Sequence, residues 1–125
     1  MVAGDAVKQP ARARSRRKAR RVGLSTSRLS EMIEEATVDA YGESEQVCGF
    51  FTMIDERLAV PFETTLLGLP VTVKGVDLTE RDEIIAICTR GRLRQPIPVL
   101  DLVLPSPPPV GAEWIEAYRY WVGRD

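Results

Sequence analysis

The spacing of the apolar residues changes at Pro61-Phe62, and this change constrains the fold more than any other feature of the chain. Before it, apolar residues recur every three or four positions, which is the spacing of one face of an α-helix. After it, short runs rich in Val, Ile, Thr and Leu alternate with turn residues, which is typical of β-strands. The chain is therefore predicted to be an α+β protein, with helices first and strands second.

Two helices are predicted before the change, and together they form a helix pair over residues 28–57. Ser25 or Ser27 can cap the first helix, and Gly42 is expected to close it, because a left-handed glycine commonly ends a helix. The apolar face of the first helix is Leu29, Met32, Ile33, Ala36 and Ala40. The second helix is predicted over Glu43 to Arg57, with its apolar face at Val47, Phe50, Phe51, Ile54 and Leu58.

Residues 58–104 are predicted to form a small, strongly bent antiparallel β-barrel of the SH3-like kind. The strands are expected at Glu63–Leu67, Val71–Leu78, Glu83–Arg90 and Leu93–Val103. Pro96 and Pro98 should lie on an edge or at a bulge, because proline has no N–H to donate to a ladder.

A proline-rich connector, residues 105–109, precedes a predicted C-terminal helix over residues 111–122. Its apolar stripe is Trp114, Ala117, Tyr118, Trp121 and Val122, which recur at helical spacing. Such an aromatic stripe either closes the core or forms an exposed face for a partner, and the first interpretation is favoured.

The charge of the chain is divided between its two parts. Residues 1–28 carry nine bases and one acid, whereas residues 29–125 carry eight bases and seventeen acids. Residues 1–27 have almost no large apolar side chain, so they are expected to be a disordered basic tail in front of a folded domain at 28–125. The tail is either a solubilising segment or an arm that contacts nucleic acid or a protein partner.

Several classes of function are unlikely from composition alone. The chain contains no histidine, which removes the commonest general base and the commonest transition-metal ligand. No glycine-rich phosphate loop or recognisable pair of catalytic acids is present, so we expect no enzyme activity and no catalytic residue. Cys48 and Cys88 form no redox motif. No apolar run approaches the roughly 20 residues of a transmembrane helix, which favours a cytoplasmic protein without a membrane partner.

Residues 29–56 hold eight carboxylates and neither lysine nor arginine. Three of them, Glu31, Glu34 and Glu35, lie near a predicted helix start, where the helix macrodipole favours negative charge. These three are expected to be structural.

The other five acids of this run are candidate metal ligands: Asp39, Glu43, Glu45, Asp55 and Glu56. Asp39, Asp55 and Glu56 are expected in the last turns of their helices, where a carboxylate opposes the macrodipole unless a cation is near. Asp39, with Glu43 and Glu45 just across the break between the helices, can surround a point with the oxygen donors that Ca²⁺ prefers. A solvated acidic face is the competing interpretation.

Two stretches of the chain form recognisable motifs. The first is Val38-Asp39-Ala40-Tyr41-Gly42-Glu43-x-Glu45-Gln46, followed by Gly49-Phe50, Ile54-Asp55-Glu56-x-Leu58 and Pro61-Phe62; the second is Tyr118-Arg119-Tyr120-Trp121-Val122. Both resemble the CcbP-type calcium-binding proteins, a family without EF-hands first recognised in cyanobacteria.

The resemblance covers residues 28–125 and implies a small cytoplasmic protein that binds Ca²⁺ through acidic side chains, as a buffer or a sensor. It places the calcium role on Asp39, Glu43 and Glu45, and next on Asp55 and Glu56. The alternative is a non-catalytic adaptor that binds nucleic acid or protein through the basic tail or the SH3-like barrel.

Overall fold

The structure is a computed structural model, and it describes residues 24–123. Within that range the chain forms three α-helices, four β-strands and one short 3-10 helix. In chain order they are α1 (Thr26–Ala36), α2 (Glu43–Arg57), β1 (Phe62–Leu66), β2 (Leu69–Leu78), β3 (Ile84–Arg90), β4 (Leu93–Pro98), the 3-10 helix Val99–Asp101 and α3 (Ala112–Gly123). The predicted basic tail lies outside the described residues, apart from Leu24 to Ser27.

Helix α1 begins with a side-chain cap and ends earlier than expected. The Ser25 hydroxyl accepts a hydrogen bond from the Arg28 backbone N–H at 3.0 Å. At the other end, the Thr37 backbone N–H and hydroxyl both donate to the Ile33 carbonyl, at 2.9 and 2.7 Å. Asp39 then adopts a left-handed φ of 61°, which turns the chain away from the helix.

The predicted closure of this helix at Gly42 is therefore wrong. Gly42 has an extended backbone, with φ −143°, and is the residue that precedes the first turn of α2. The left-handed conformation that was expected of this glycine is taken by Asp39, because Asp is one of the few residues other than Gly that tolerate it.

The strands form one antiparallel sheet in the order β1-β2-β3-β4. Since β1 and β4 are both edges, the sheet is open and the predicted closed barrel is wrong. Pro96 and Pro98 lie in the edge strand β4, as predicted. The sheet has no need to close on itself, because helices cover its inner face and bury the apolar side chains there.

The core lies between the helices and the inner face of the sheet. Its sheet side includes Val71, Val73, Ile84, Ala86 and Cys88, which are all buried. Its helical side includes Leu29, Met32, Phe50, Ile54 and Ile115, which are all fully buried. Helix α3 packs against both α1 and α2, and α2 packs against β2. The aromatic stripe of α3 thus closes the core.

Phe50 of α2 packs against helix α3. Its ring centroid lies 5.4 Å from that of Tyr118 and 5.1 Å from that of Trp121, both on α3. Aromatic pairs at such distances add stabilisation beyond the area they bury. This contact fixes α2, and with it the acidic residues at both ends of that helix.

A buried ion pair joins α3 to the segment after β4. The Arg119 guanidinium lies 3.2 Å from the Glu116 carboxylate, and both side chains are more than nine-tenths buried. Arg119 also donates to the carbonyls of Val99, at 2.8 Å, and of Leu102. Removing one member of such a pair would leave a buried charge, which makes the pair a structural clamp.

Among the described residues, none of the helices combines the length and the apolar character that crossing a membrane requires.

The contact between α1 and α2 predicts a strong effect of one small substitution. A Cβ at Gly49 would lie 2.0 Å from the Ala36 carbonyl oxygen, so Gly49→Ala must push the two helices apart. We expect it to lower the free energy of unfolding by about 1–3 kcal/mol, measured by urea unfolding. Gly75→Ala, with nothing within 4 Å of its Cβ, is the control. Equal effects of the two substitutions would contradict the close approach.

Candidate metal centre

The structure places three of the five candidate residues on one exposed connection, the turn between α1 and α2. Asp39 lies in the turn itself, and Glu43 and Glu45 lie in the first turn of α2. All three side chains are exposed. We call these three residues the acidic turn.

Two members of the acidic turn also serve the start of α2. The Glu45 carboxylate accepts a hydrogen bond from the Tyr41 backbone N–H at 2.7 Å, which is a variant of a capping box. Glu43 and Glu45 both lie where the helix macrodipole is positive, so their charges stabilise the helix. These two carboxylates therefore have a structural role whether or not a metal binds.

Asp39 does not lie in a last helical turn, as the sequence had indicated, because α1 ends at Ala36. Its carboxylate is beyond the helix and does not oppose the macrodipole there. The expectation that Asp39 destabilises a helix end is therefore wrong.

Asp55 and Glu56 do lie in the last turn of α2, and both are exposed. They are far from the acidic turn, because they lie ten or more positions beyond Glu45 along the helix, at a rise of about 1.5 Å per residue. The separation is about 15 Å or more, which no single ion can bridge. The five candidate residues thus form two groups, at opposite ends of α2.

Neighbouring bases neutralise only part of the acid run. Arg28 lies 3.5 Å from Glu31, and Arg57 lies 3.9 Å from Glu35, and all four side chains are about half exposed or more. Exposed pairs of this kind contribute little, about 0–1 kcal/mol. Within residues 24–123, no ion pair reaches Asp39, Glu43 or Glu45.

Three backbone carbonyls near the turn already accept hydrogen bonds. The Ile33 carbonyl accepts from Thr37, the Thr37 carbonyl accepts from the Ala40 N–H at 3.0 Å, and the Gly42 carbonyl accepts from the Gln46 N–H at 3.0 Å. Helix-end carbonyls, which the sequence suggested as metal ligands, are therefore weaker candidates than the carboxylates.

No preformed metal cluster is present in the described part of the chain: no three Asp, Glu or Cys side chains there are arranged to hold an ion. The carboxylates of the acidic turn would have to rotate toward one another before they shared a cation. Because they are exposed, such a rotation meets no packed neighbours.

One acidic residue near this site was missed by sequence reasoning. Tyr118 is buried, and its pKa is raised first by that burial, then by the negative charge of Glu83 and next by that of Glu43. Glu83, at the end of the β2–β3 connection, and Glu43 of the acidic turn therefore act on one phenol, although 40 positions separate them in the sequence. The only sequence signal was the acid-rich turn Glu80-Arg81-Asp82-Glu83.

Comparisons with known proteins were made with both the sequence and the structure. No protein-family model matches the chain, and no curated protein matches it. The crystal structure of Anabaena CcbP is similar, with a TM-score of 0.63, 19% sequence identity, and coverage of 78% of this chain and 91% of that one. This chain has the CcbP fold.

A second solved structure is similar to a comparable degree. It is described as a calcium binding protein in the calcium-binding form, and it has a TM-score of 0.63 and 18% identity. The match covers 82% of this chain and 94% of that one. The two matches thus cover nearly the whole length of each of those proteins and about four-fifths of this chain.

The environment of Tyr118 predicts how its titration responds to charge. Glu83→Gln should lower the Tyr118 pKa toward its ordinary value, and Glu43→Gln should lower it less, because Glu83 has the larger effect. Absorbance of the tyrosinate at alkaline pH measures this, and Tyr118→Phe identifies the signal against the other tyrosines. A titration that neither glutamate variant changes would contradict this placement.

The same shift has a consequence for stability. A tyrosine whose pKa is raised on folding contributes stability that is complete below its unfolded pKa of about 10 and is lost as the pH rises through the folded pKa. The free energy of unfolding should therefore fall as the pH rises above the unfolded pKa of about 10, and it should fall less in Glu83→Gln. Thermal melts at neutral and alkaline pH measure the difference.

Proposed function

We propose that this chain binds Ca²⁺ at the acidic turn, through the carboxylates of Asp39, Glu43 and Glu45. The observation that carries the proposal is the position of these three exposed acids, which form no ion pair within residues 24–123, on one connection of a CcbP fold. A structure with this fold is described as being in a calcium-binding form, which supports Ca²⁺ as the ion. Carboxylate oxygens are also the ligands that Ca²⁺ prefers.

Binding would work by relieving repulsion among like charges. Asp39 is held in its turn by the left-handed backbone, and Glu43 is held by the first turn of α2. Glu45 uses one oxygen to accept the Tyr41 N–H, which leaves its second oxygen for a cation. A bound Ca²⁺ would then cross-link the end of α1 to the start of α2 and stabilise the folded chain by mass action.

The remaining acids have separate places in this proposal. Asp55 and Glu56 are too far away to join the acidic turn, so any ion they bind occupies a second site at the other end of α2. That second site offers two carboxylates instead of three, which makes it the weaker of the two.

The exposure of the ligands predicts a low affinity. Three side chains must each give up rotamer freedom to share one ion, and this loss opposes binding. We expect a dissociation constant of about 10⁻⁴ to 10⁻³ M, the weak end of the range for calcium sites. Such a site suits a sensor of large concentration changes better than a tight buffer.

The choice of ion is testable by thermal unfolding. In chelator-stripped protein, millimolar Ca²⁺ should raise the melting temperature more than Mg²⁺ does at the same concentration, because Mg²⁺ dehydrates reluctantly and demands a stricter octahedral shell. Calorimetric titration of the same sample measures affinity and the number of sites. Equal shifts for both ions, or no heat with Ca²⁺, would refute the proposal.

Asp39→Asn tests the site at the level of one residue. It keeps the shape of the side chain and tolerates the left-handed backbone, but removes one charge from the proposed shell. We expect Ca²⁺ to bind at least about tenfold more weakly, which corresponds to roughly 1.4 kcal/mol. Metal-free stability should hold or rise, because repulsion within the acidic turn is reduced.

Glu34→Gln is the matched control for this substitution. It also removes one exposed carboxylate, but from the outer face of α1 and away from the turn. It should change neither calcium affinity nor stability appreciably. If Asp39→Asn lowers the metal-free stability and leaves calcium affinity unchanged, Asp39 is a structural turn residue and solvent alone neutralises the acidic turn.

A further inference from the structure

The tips of two hairpins lie at the same end of the sheet, because the strands are antiparallel and in sequential order. The β1–β2 hairpin turns through Leu67-Gly68, where Leu66 pairs with Leu69. The β3–β4 hairpin turns through Gly91-Arg92, where Arg90 pairs with Leu93. Arg90 joins the two, since its guanidinium donates to the Pro70 carbonyl at 3.1 Å. We call these two tips the hairpin end.

Leucines project from the hairpin end into solvent. Leu67 is 96% exposed, Leu93 is 73% exposed and Leu69 is 50% exposed. Leu67 also has a positive φ of 53°, in a turn position that asparagine or aspartate usually fills. A bulky apolar residue there is unfavourable on both counts, in backbone conformation and in exposure, and nothing in the fold requires it.

The charge of the hairpin end is the opposite of that of the acidic turn. Residues 64–76 and 84–100, which include both hairpin tips, contain four bases and no acid. Three of the bases, Arg90, Arg92 and Arg94, surround the β3–β4 tip and are exposed. The folded chain therefore presents a basic end with protruding leucines.

We propose that the hairpin end docks on an anionic lipid surface, with Leu67 and Leu93 inserted at the interface and the arginines against lipid headgroups. Apolar side chains that enter the headgroup region, combined with flanking Lys or Arg, are how peripheral proteins bind anionic membranes. The protruding tips suit a soft, flat surface. A second copy docked tip to tip would bring the two sets of arginines together, which disfavours that alternative.

Surface docking of this kind needs no transmembrane segment, so it is compatible with the short helices of the chain. It does differ from the expectation that the protein has no membrane partner. That expectation came from the absence of a long apolar run, which has no bearing on three leucines brought together by two turns.

Fluorescence from a tip residue tests the proposal in the full-length protein. In Leu67→Trp, emission should shift to the blue when vesicles of equal parts phosphatidylcholine and phosphatidylglycerol are added, and brominated lipids should quench it. In Val38→Trp, which probes another exposed apolar position, 68% exposed and next to Asp39, neither change should occur. The basic residues before Leu24 can bind such vesicles by themselves, so this comparison of positions matters more than binding itself.

A second measurement concerns affinity. Leu67→Ser with Leu93→Ser should reduce partitioning onto the anionic vesicles by at least about fivefold, because the apolar insertion is lost. The control, Val38→Ser with Val110→Ser, removes two exposed valines that lie away from the hairpin end, and it should leave partitioning unchanged. All samples contain chelator, so the result is independent of the calcium proposal.

Three outcomes would overturn the proposal. The first is an emission of Leu67→Trp that stays at the wavelength of a water-exposed indole when the protein is bound to vesicles. The second is an equal loss of partitioning in the serine variants and their control. The third is dimerisation of the parent protein that the Leu67→Ser, Leu93→Ser variant abolishes, which would assign the hairpin end to a second copy.

Discussion

The packing of Phe50 against Tyr118 and Trp121 is the contact on which the rest of the structure depends. It joins α2 to α3, and α2 in turn packs against strand β2 of the sheet. This contact fixes the position of α2, which has acidic residues at both of its ends. The same packing buries Tyr118 and brings it under the influence of Glu43 and Glu83.

Acidic and basic residues are concentrated on different surfaces of the folded chain. The acidic turn lies at the start of α2, and the hairpin end, with its four neighbouring bases, lies on strands far along the sequence. Within residues 24–123, neither the acidic turn nor the hairpin end is neutralised by an ion pair. Both surfaces therefore keep an electrostatic potential that favours partners of opposite charge: a cation at one, an anionic surface at the other.

Much of the fold was predictable because local spacing reports burial. Leu29, Met32, Ile33 and Ala36 were expected on one helical face and are all buried, and Val47, Phe50 and Ile54 behave in the same way. Strands β1, β2 and β3 begin and end close to their expected positions, and Pro96 and Pro98 lie on an edge, but β4 ends at Pro98 and not at Val103, because a 3-10 helix follows it. The closed barrel was wrong, since strand periodicity describes one sheet face and says nothing about what covers it. The end of α1 was wrong because either Asp39 or Gly42 could take the left-handed turn.

The sequence by itself determined the helical and strand segments, the buried faces and the excess of acids on residues 29–56, because each of these depends on neighbours within a few positions. Only the tertiary structure decided which acids can act together. It separated Asp55 and Glu56 from the acidic turn by the length of α2, brought Glu83 and Glu43 to the same tyrosine, and placed Leu67 beside Leu93 at one end of the sheet. Such distances depend on how helices and strands pack, and packing joins residues whose separation in the sequence carries no signal.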